Sequence, residues 1–556
     1  MVSQGIANTL DCGVLAMSYS LSVVMIIKNE AHNLAISLPA LDGLANEIII
    51  LDSGSTDNSR QIAEQYGAKW FVNTNWQGFG KQRQFAQSYA TGEWILALDA
   101  DEEITDELKQ SILTVIKNPP NDTVYGLKRL DFIAGRQIDN PYWSVKAYWR
   151  LFPKQFGFND LLVHESLDTT NAKTQVLSGF LHHHTAPDLE FLLQKRLSYA
   201  KTWANEKHQK GKKSSLFKII SNPIWQFIRQ YFLDGRFLQG KYGLIYSCLF
   251  AQYTFNKYAI LYDLTHNQAE QAFLKSVEFA KSLASIDLTN KKSTLSLVMI
   301  CKNESKHLKA CLDTVHDLVD EIIVLDSGST DDTRKIAEQY GAKWHVNTDW
   351  QGFGKQRQLA QSYATSDYVL VLDADERLDD SLRDSITKIL HEPPQTHMVF
   401  ALPRVNLFCG VEVLKRFWYA DNLARLYANS HYQYNDLEVH ESLDAKNATI
   451  KNLSGYLLHL TNDDFAHFVQ KNIRYSDDWA RDKSARGKKT KFGSVISHAL
   501  FSFSREYVIR GGMLGGAYGV LHAGASSSYT FNKYLILWQL NQNKHHHQPC
   551  KITSSA

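Results

Sequence analysis

Two tandem α/β domains, each built on a largely parallel sheet flanked by helices, are what this sequence predicts, and three observations carry the prediction. The stretch Leu96-Ala97-Leu98-Asp99-Ala100-Asp101-Glu102 is an apolar run ending in two carboxylates one residue apart, and it recurs as Leu370-Val371-Leu372-Asp373-Ala374-Asp375-Glu376. Such a run reads as a buried parallel strand running out into an acidic tip. The two tips lie 274 residues apart, as do Asp52 and Asp326 in two copies of Leu-Asp-Ser-Gly-Ser-Thr-Asp. From Leu21 to Glu102 the copies align without a gap, with roughly two-thirds of positions identical. A period this long means duplicated domains rather than a solenoid. Finally, strand patterns alternate with helix patterns, which implies parallel pairing and right-handed crossovers.

Taken in order, Leu21–Ile27 is predicted as a buried strand, Glu30–Leu44 as a helix and Glu47–Leu51 as a second strand. A helix from about Asn58 to Tyr66 precedes a short third strand, Lys69–Val72. A glycine-rich loop then opens the helix Lys81–Ala90, and Trp94–Leu98 is the fourth strand. Ligands of such sheets sit beyond the carboxyl ends of the strands, where Asp52, Asp99 and Asp101 all lie. The domain boundary is placed in the polar, helical connector 268–293, giving domains 21–267 and 294–541, each closing in a helical extension rich in basic and aromatic residues.

Composition narrows the function classes. The chain has 556 residues, 44% of them hydrophobic and 21% charged, with formal net charge +2. No stretch reaches the roughly 18 uninterrupted apolar residues of a membrane span. Met1–Ser20 has no basic segment before its apolar residues, so no secretory signal is expected there. The six cysteines (Cys12, Cys248, Cys301, Cys311, Cys409, Cys550) form no CxxC pair and read as reduced thiols of a cytosolic protein. With net charge near zero and no known fold signature, a nucleic-acid partner is not expected.

Side chains alternate along a strand, so Asp99 and Asp101 point to the same side. Like charges so close repel unless a cation bridges them to a partner, and a hard divalent ion held by one or two carboxylates and a substrate's phosphates meets that need. In the turn after the second strand, helix capping explains Asp57, while Asp52 precedes the cap and suits a base or ribose contact. Trp76-Gln77-Gly78-Phe79-Gly80-Lys81-Gln82-Arg83-Gln84 recurs as Trp350 to Gln358. Two glycines and then basic residues opening a helix describe an anion-binding N-terminus, although the spacing matches neither GxGxxG nor GxxxxGK[ST]. Lys81 and Arg83, like Lys355 and Arg357, are two apart and not on one helical face, so one of each pair is expected to reach the ligand.

Lys28-Asn29-Glu30 at the first strand end, the DSGSTD turn, GFGKQRQ and the DADE tip together resemble the GT-A glycosyltransferases of family 2. Within that family the resemblance is to the β-glucosyltransferases of the lipopolysaccharide or lipooligosaccharide core. Trp418-Tyr419-Ala420-Asp421 with Arg425-Leu426-Tyr427 is similar to that branch's tryptophan-then-RLF segment. Val163-His164-Glu165 and Val439-His440-Glu441 are similar to its VHE, and the tail ending Thr254-Phe255-Asn256-Lys257-Tyr258 fits as well. The resemblance implies two GT-A domains that transfer a sugar with inversion from a UDP-sugar, UDP-glucose foremost, to a lipid-linked oligosaccharide acceptor. It implies that Asp52 and Asp326 contact uracil or ribose. Asp99 and Asp373, with Asp101 and Asp375, would hold Mg²⁺ or Mn²⁺ against the diphosphate. The base that takes the acceptor's proton is expected in Glu165 and Glu441. His182-His183-His184 matches Leu458-His459-Leu460, so only the middle histidine is shared. His183 and His459 either complete the metal site, as a late histidine does in some GT-A enzymes, or are packed structural residues.

The copies part company at Asn140–Lys146 and Lys415–Asp421, which suggests one donor but two different acceptor hydroxyls. Lys195–Lys218 holds eight Lys or Arg against one acid, Glu206, and an aromatic, helical segment follows. That combination suits a peripheral face on an anionic membrane surface, here the inner face of the cytoplasmic membrane. A sugar-nucleotide pyrophosphorylase would open with a basic, glycine-rich loop after the first strand, where this chain has Lys28-Asn29-Glu30. An inert second copy would have lost its acidic tip, and neither copy has.

Overall fold

The computed structural model describes residues 20–118, 120–138, 145–160, 166–283, 286–413, 421–436, 442–462 and 464–546. By packing, the chain divides into two units. One holds the chain as far as Lys195 together with Ile224–Ala251; the other comprises Arg196–Pro223 and everything from Gln252 onward.

In the first unit the strands are β1 (Leu21–Ile27), β2 (Glu47–Asp52), β3 (Lys69–Val72), β4 (Trp94–Leu98), β5 (Glu102–Ile104), β6 (Thr123–Ile133), β7 (Arg136–Gln137), β8 (Ala147–Pro153) and β9 (Lys173–Ala186). They form one sheet in the order β3-β2-β1-β4-β8-β6-β9-β5, with β7 paired to β6. The β1–β2, β2–β3 and β1–β4 pairs are parallel, as the helix-strand alternation requires; β8 then enters antiparallel to β4. Leu21, Val23, Met25 and Ile27 pack into one core layer, and Val24 packs into the layer on the opposite face. Burial on both faces is why β1 is apolar throughout instead of alternating.

The helices sit close to their expected places: Ser59–Gln65 and Phe79–Ser88 follow β2 and β3. The first is shorter than expected. It ends at Ser37 and tightens into a 3-10 turn, Leu38–Leu41, at Pro39, whose ring removes a backbone donor. After β5 the helix Asp106–Ile116 is capped by Thr105, whose hydroxyl accepts from the Leu108 amide. It buries Leu108, Ile112 and Ile116 at spacing i, i+4, i+8.

The second unit repeats the design with β10 (Leu295–Cys301), β11 (Glu321–Asp326), β12 (Lys343–Val346), β13 (Tyr368–Val371), β14 (Glu376–Leu378), β15 (Met398–Asn406), β16 (Asp421–Ala428), β17 (Thr449–Asn452) and β18 (Leu457–His459). The order is β12-β11-β10-β13-β16-β15-β18-β14, with β17 on β15, so β17 and β18 together stand where β9 does. Gly455, at φ +96°, lies in the break between them, and its counterpart Gly179, at φ +89°, lies inside β9. A Cβ at either would come within 2.3 Å of the Leu108 amide or 2.1 Å of the Leu382 amide. Glycine is needed there for the strand to pass the start of the helix beneath it.

The expected connector is itself a helix, Gln268–Ser282. Its first carbonyl lies 2.3 Å from where a Cβ on Gly410 would sit, so it is seated against the second unit. The preceding helix, Gly240–His266, contributes its last turns to the same unit. There the buried Asp263 carboxylate accepts from the Phe465 amide (2.8 Å) and the Tyr518 hydroxyl (3.0 Å). Among the described residues no helix is long and apolar enough to cross a membrane.

Candidate active site

Parallel register sets Ile27 opposite Asp52 and Met25 opposite Leu98, so the ends of β1, β2 and β4 open on one edge. Asn29, in the left-handed region at φ +56°, joins two of these ends. Its amide donates to Ser55 Oγ (2.7 Å) and its Oδ1 accepts from the Thr56 amide (2.7 Å). Asn303 does the same for Ser329 and Thr330 at 2.8 Å each. Asp57 accepts from the Ala31 amide and from the amide and hydroxyl of Ser59, the first residue of the next helix, whose N-cap position is Asn58. Asp52, only 4% exposed, turns its carboxylate into its own loop, accepting from the Ser55 amide (3.0 Å) and hydroxyl (2.5 Å). Asp326 accepts from Ser329 in the same way. The aspartate expected to meet the donor therefore also shapes the loop that would meet it.

The glycine-rich loop opens a helix that is pinned from below. Gln82 donates to Ser53 Oγ and to the Asn73 carbonyl at 3.0 Å each, and Gln84 donates to the Phe158 carbonyl (2.6 Å). The two basic residues diverge. Lys81 stays half-exposed and pairs with Asp160 (2.8 Å), while Arg83 is buried and reaches Asp99 Oδ1 (2.5 Å). Arg150 takes the other oxygen of Asp99 (2.8 Å). In the second copy Arg357 and Arg425 hold Asp373 at 2.8 and 3.0 Å, and Lys355 donates to Gln351. Burial would raise the Asp99 pKa, but the flanking guanidiniums outweigh it and hold the carboxyl well below the usual range; the same holds at Asp373. The Asp99 amide donates to the buried Glu102 carboxylate (3.1 Å), and the Asp373 amide to Glu376 (2.9 Å). Arg150 and Arg425, 275 residues apart, were visible in the sequence as a matched pair; nothing there assigned them to the first tip aspartate.

The second tip aspartate faces a histidine. β5 pairs antiparallel with β9, setting Glu102 opposite His183, and His183 Nε2 lies 3.1 Å from Asp101 Oδ2. His459 Nε2 lies 3.2 Å from Asp375 Oδ2. The shared histidine of the two unlike triplets is thus the one at the tip, and the flanking ones differ in role: His184 meets Glu103, where the second copy has Leu460 and Arg377. Behind the histidine the copies diverge. His183 Nδ1 meets the Asp131 carboxylate at 2.7 Å, whereas His459 Nδ1 meets the amide oxygen of Asn406 at 2.7 Å. Burial disfavours the charged imidazole, but the carboxylates of Asp101 and Asp131 prevail and push the His183 pKa up to about 9.

Among the described residues no three His, Cys, Asp or Glu side chains converge on one point. Each tip instead offers one carboxylate and one imidazole with its far nitrogen anchored. That donor set fits a divalent ion whose remaining positions are filled by phosphate and water. Glu165 and Glu441 lie outside the described residues, as do most of the divergent segments (140–144 and 415–420). On either side of the segment 161–165, Phe158 bridges to Leu167, and the Arg83 guanidinium lies over the Phe158 ring.

Comparison with known proteins matches the description "Glycosyl transferase family 2" over residues 22–173 and again over 296–432. The uncharacterized glycosyltransferase RP128 of Rickettsia prowazekii is 29% identical over 257 residues, covering 44% of this chain and 87% of that protein. The lipopolysaccharide core biosynthesis glycosyltransferase LpsC of Rhizobium meliloti is 27% identical over 248 residues, 44% of this chain and 92% of its own length. Among solved structures, S. aureus TarS 1-349 in complex with UDP-GlcNAc is 17% identical over 46% of this chain and 86% of that one, with a TM-score of 0.25. The family match covers more than half of the chain and falls once on each copy of the acidic tip, so this protein belongs to glycosyl transferase family 2 and carries the glycosyltransferase domain twice.

Proposed function

We propose that each copy transfers glucose from UDP-glucose, with inversion, to the inner core of a lipopolysaccharide or lipooligosaccharide. In this reading the two copies serve different acceptor hydroxyls. One observation carries it: both copies keep a strand-end aspartate clamped by two arginines beside a second aspartate that faces an anchored histidine. The clamp keeps Asp99 and Asp373 ionised and fixed, which positions the tip without spending its second carboxylate. Asp101 with His183, and Asp375 with His459, are the residues that would hold Mg²⁺ or Mn²⁺. Bound there, the ion offsets the charge that builds on the departing diphosphate. Asp52 and Asp326 shape the loop that receives the nucleoside, and Lys81 and Lys355 stand at the helix start where an anion is favoured. Glu165 and Glu441 take the proton of the attacking hydroxyl. The likeness to LpsC supports a lipid-linked core acceptor, met at the anionic inner face of the cytoplasmic membrane.

The test is the purified full chain with UDP-glucose, UDP-galactose and UDP-GlcNAc on truncated core acceptors, scored for UDP release with and without Mg²⁺ or Mn²⁺. The expectation is metal-dependent release preferring UDP-glucose, with Asp101→Ala and Asp375→Ala abolishing transfer to different acceptors. Turnover untouched by either change would overturn the metal site. Identical acceptor demand from both single variants would overturn the division of labour.

A further inference from the structure

The helical extensions carry a feature that the active sites do not use. The helix Leu216–Ile228 passes into a wide π turn, Arg229–Leu233, then through Gly235 at φ +71° into a 3-10 turn, Arg236–Gln239, and these turns belong to the first unit. Gly240, at φ +57°, starts the next long helix. This tip exposes Phe232, Leu233, Phe237 and Leu238, each 46–58% accessible. In the second unit the same succession runs through the π turn Arg505–Ile509, Gly511 at φ +73°, the 3-10 turn Gly512–Gly515 and Gly516 at φ +60°. It exposes Val508, Ile509, Met513 and Leu514, each 52–58% accessible. Every one of the four positions is 276 residues from its counterpart. Three of the four pairs differ in identity (only Leu238 and Leu514 match) while the apolar character and the exposure are the same, as a requirement for apolar surface, not for a particular side-chain fit, would produce.

The tips are also built to hold shape. A Cβ on Gly243 would fall 1.8 Å from the Arg236 carbonyl, and one on Gly519 would fall 1.7 Å from the Gly512 carbonyl. Glycine lets each 3-10 turn rest directly on the helix that follows, fixing the apolar residues outward. Clusters of exposed large apolar side chains mark an interface, and the charge around these selects its kind. The first tip carries exposed Arg229 and Lys241 and a half-buried Arg236, with Asp234 as its one acid. The second carries exposed Arg505 and also Arg510, both on the buried Glu506, which leaves one net positive charge. Exposed apolar groups with a net positive charge beside them match a membrane surface of anionic headgroups over acyl chains.

We infer that the two π-turn tips, Arg229–Gln239 and Arg505–Gly515, are the segments by which this protein docks on an anionic lipid leaflet. The inference rests on the proposed membrane-bound acceptor and names the surface that would meet that membrane.

The test is co-sedimentation of the full chain with vesicles of phosphatidylcholine plus phosphatidylglycerol, against phosphatidylcholine alone. Wild type is expected to partition onto the anionic vesicles. Serine at Phe232, Leu233, Phe237 and Leu238 together, or at Val508, Ile509, Met513 and Leu514 together, should weaken partition about tenfold or more, and both sets together should abolish it. Arg229→Gln with Arg505→Gln should weaken binding to anionic vesicles alone. All variants should keep a cooperative thermal transition and wild-type UDP release on a soluble acceptor, because none of the substituted residues belongs to either acidic-tip site. Unaltered partition in the combined serine variant would overturn the inference. So would a wild-type chain that self-associates in gel filtration, ignores vesicles and becomes monomeric in the serine variants. Absence of UDP release from wild type, with tip-dependent vesicle binding intact, would instead sink the transferase reading and leave the docking surface standing.

Discussion

Replacing Arg83 with methionine separates two roles for that residue. The sequence offers Arg83 as a contact for the donor; the structure buries it on Asp99, with Arg150 on the other oxygen. Two unit charges about 4 Å apart interact by about 4 kcal/mol at the effective dielectric of a protein surface region. The Asp99 side chain keeps 30% of its surface accessible, so water screens part of this, and Arg150 remains to compensate the carboxylate. About 2 kcal/mol of lost stability is the expectation. Methionine keeps an unbranched apolar side chain but loses the guanidinium that lies over Phe158, so the double variant, not the single loss, isolates the pair with Asp99. The assay is urea unfolding followed by circular dichroism, for Arg83→Met, Asp99→Asn and the double variant. Arg83→Met should lower the transition of the first unit, and the double variant should be less destabilised than the sum by about 1–2 kcal/mol. Arg357→Met should act alike on the second unit, where the pair is 2.8 Å apart. A loss under about 0.5 kcal/mol with additive behaviour, together with weakened UDP binding, would refute the clamp and restore Arg83 to the donor.

Behind the tip histidine, Asp131→Asn in an Asp375→Ala background should weaken Mn²⁺ binding about tenfold by titration under electron paramagnetic resonance, since an amide replaces the carboxylate anchor. Asn406→Asp in an Asp101→Ala background should strengthen it. Glu47, near the start of β2, accepts from Ser22, Thr91 and Lys69, and these bonds outweigh burial to bring its pKa down to about 2 from an ordinary 4.5. A depressed folded pKa contributes stability above about 4.5 that is lost as pH falls toward about 2. Glu47→Gln should therefore cost about 2 kcal/mol at neutral pH, with the gap to wild type closing on acidification in denaturant titrations. Asp263→Ala leaves the Phe465 amide and the Tyr518 hydroxyl without their buried acceptor and should cost the second unit about 2–4 kcal/mol in calorimetry, sparing the first.

The parallel half of each sheet was legible because its strands are buried on both faces and its loops end in glycine and acids. Leu21–Ile27 falls where its apolar run does, and the half-exposed Lys69–Val72 was placed by the helix-strand alternation and the glycine-rich loop after it. Asp99, Asp101 and His183 were legible as residues, the last because only the middle member of its triplet is shared. What the sequence left hidden depends on pairing across long separations. Arg150 reaches Asp99 only because β8 turns back antiparallel beside β4, and no local pattern encodes that reversal. Asp131 stands behind His183 because β6 runs parallel to β9 at that register. The tip residues Phe232 and Leu233 read as one more aromatic helix, since a π turn leaves no periodic mark of its own.

Asp263 is synthesised 202 residues before Phe465 and 255 before Tyr518. At ribosomal rates of about 5–20 residues per second, the last turns of the Gly240–His266 helix wait roughly 10–50 s for the partners that bury them. During that interval the first copy is complete in sequence, yet its final segment is an orphan awaiting the second. Vectorial synthesis thus makes the second unit's closure the last event, and a nascent chain interrupted between the copies would carry a bare apolar stub open to proteases and chaperones. Gene fission at the repeat boundary would separate Asp263 from its partners permanently, which gives the duplication a reason to stay fused that has nothing to do with the reaction.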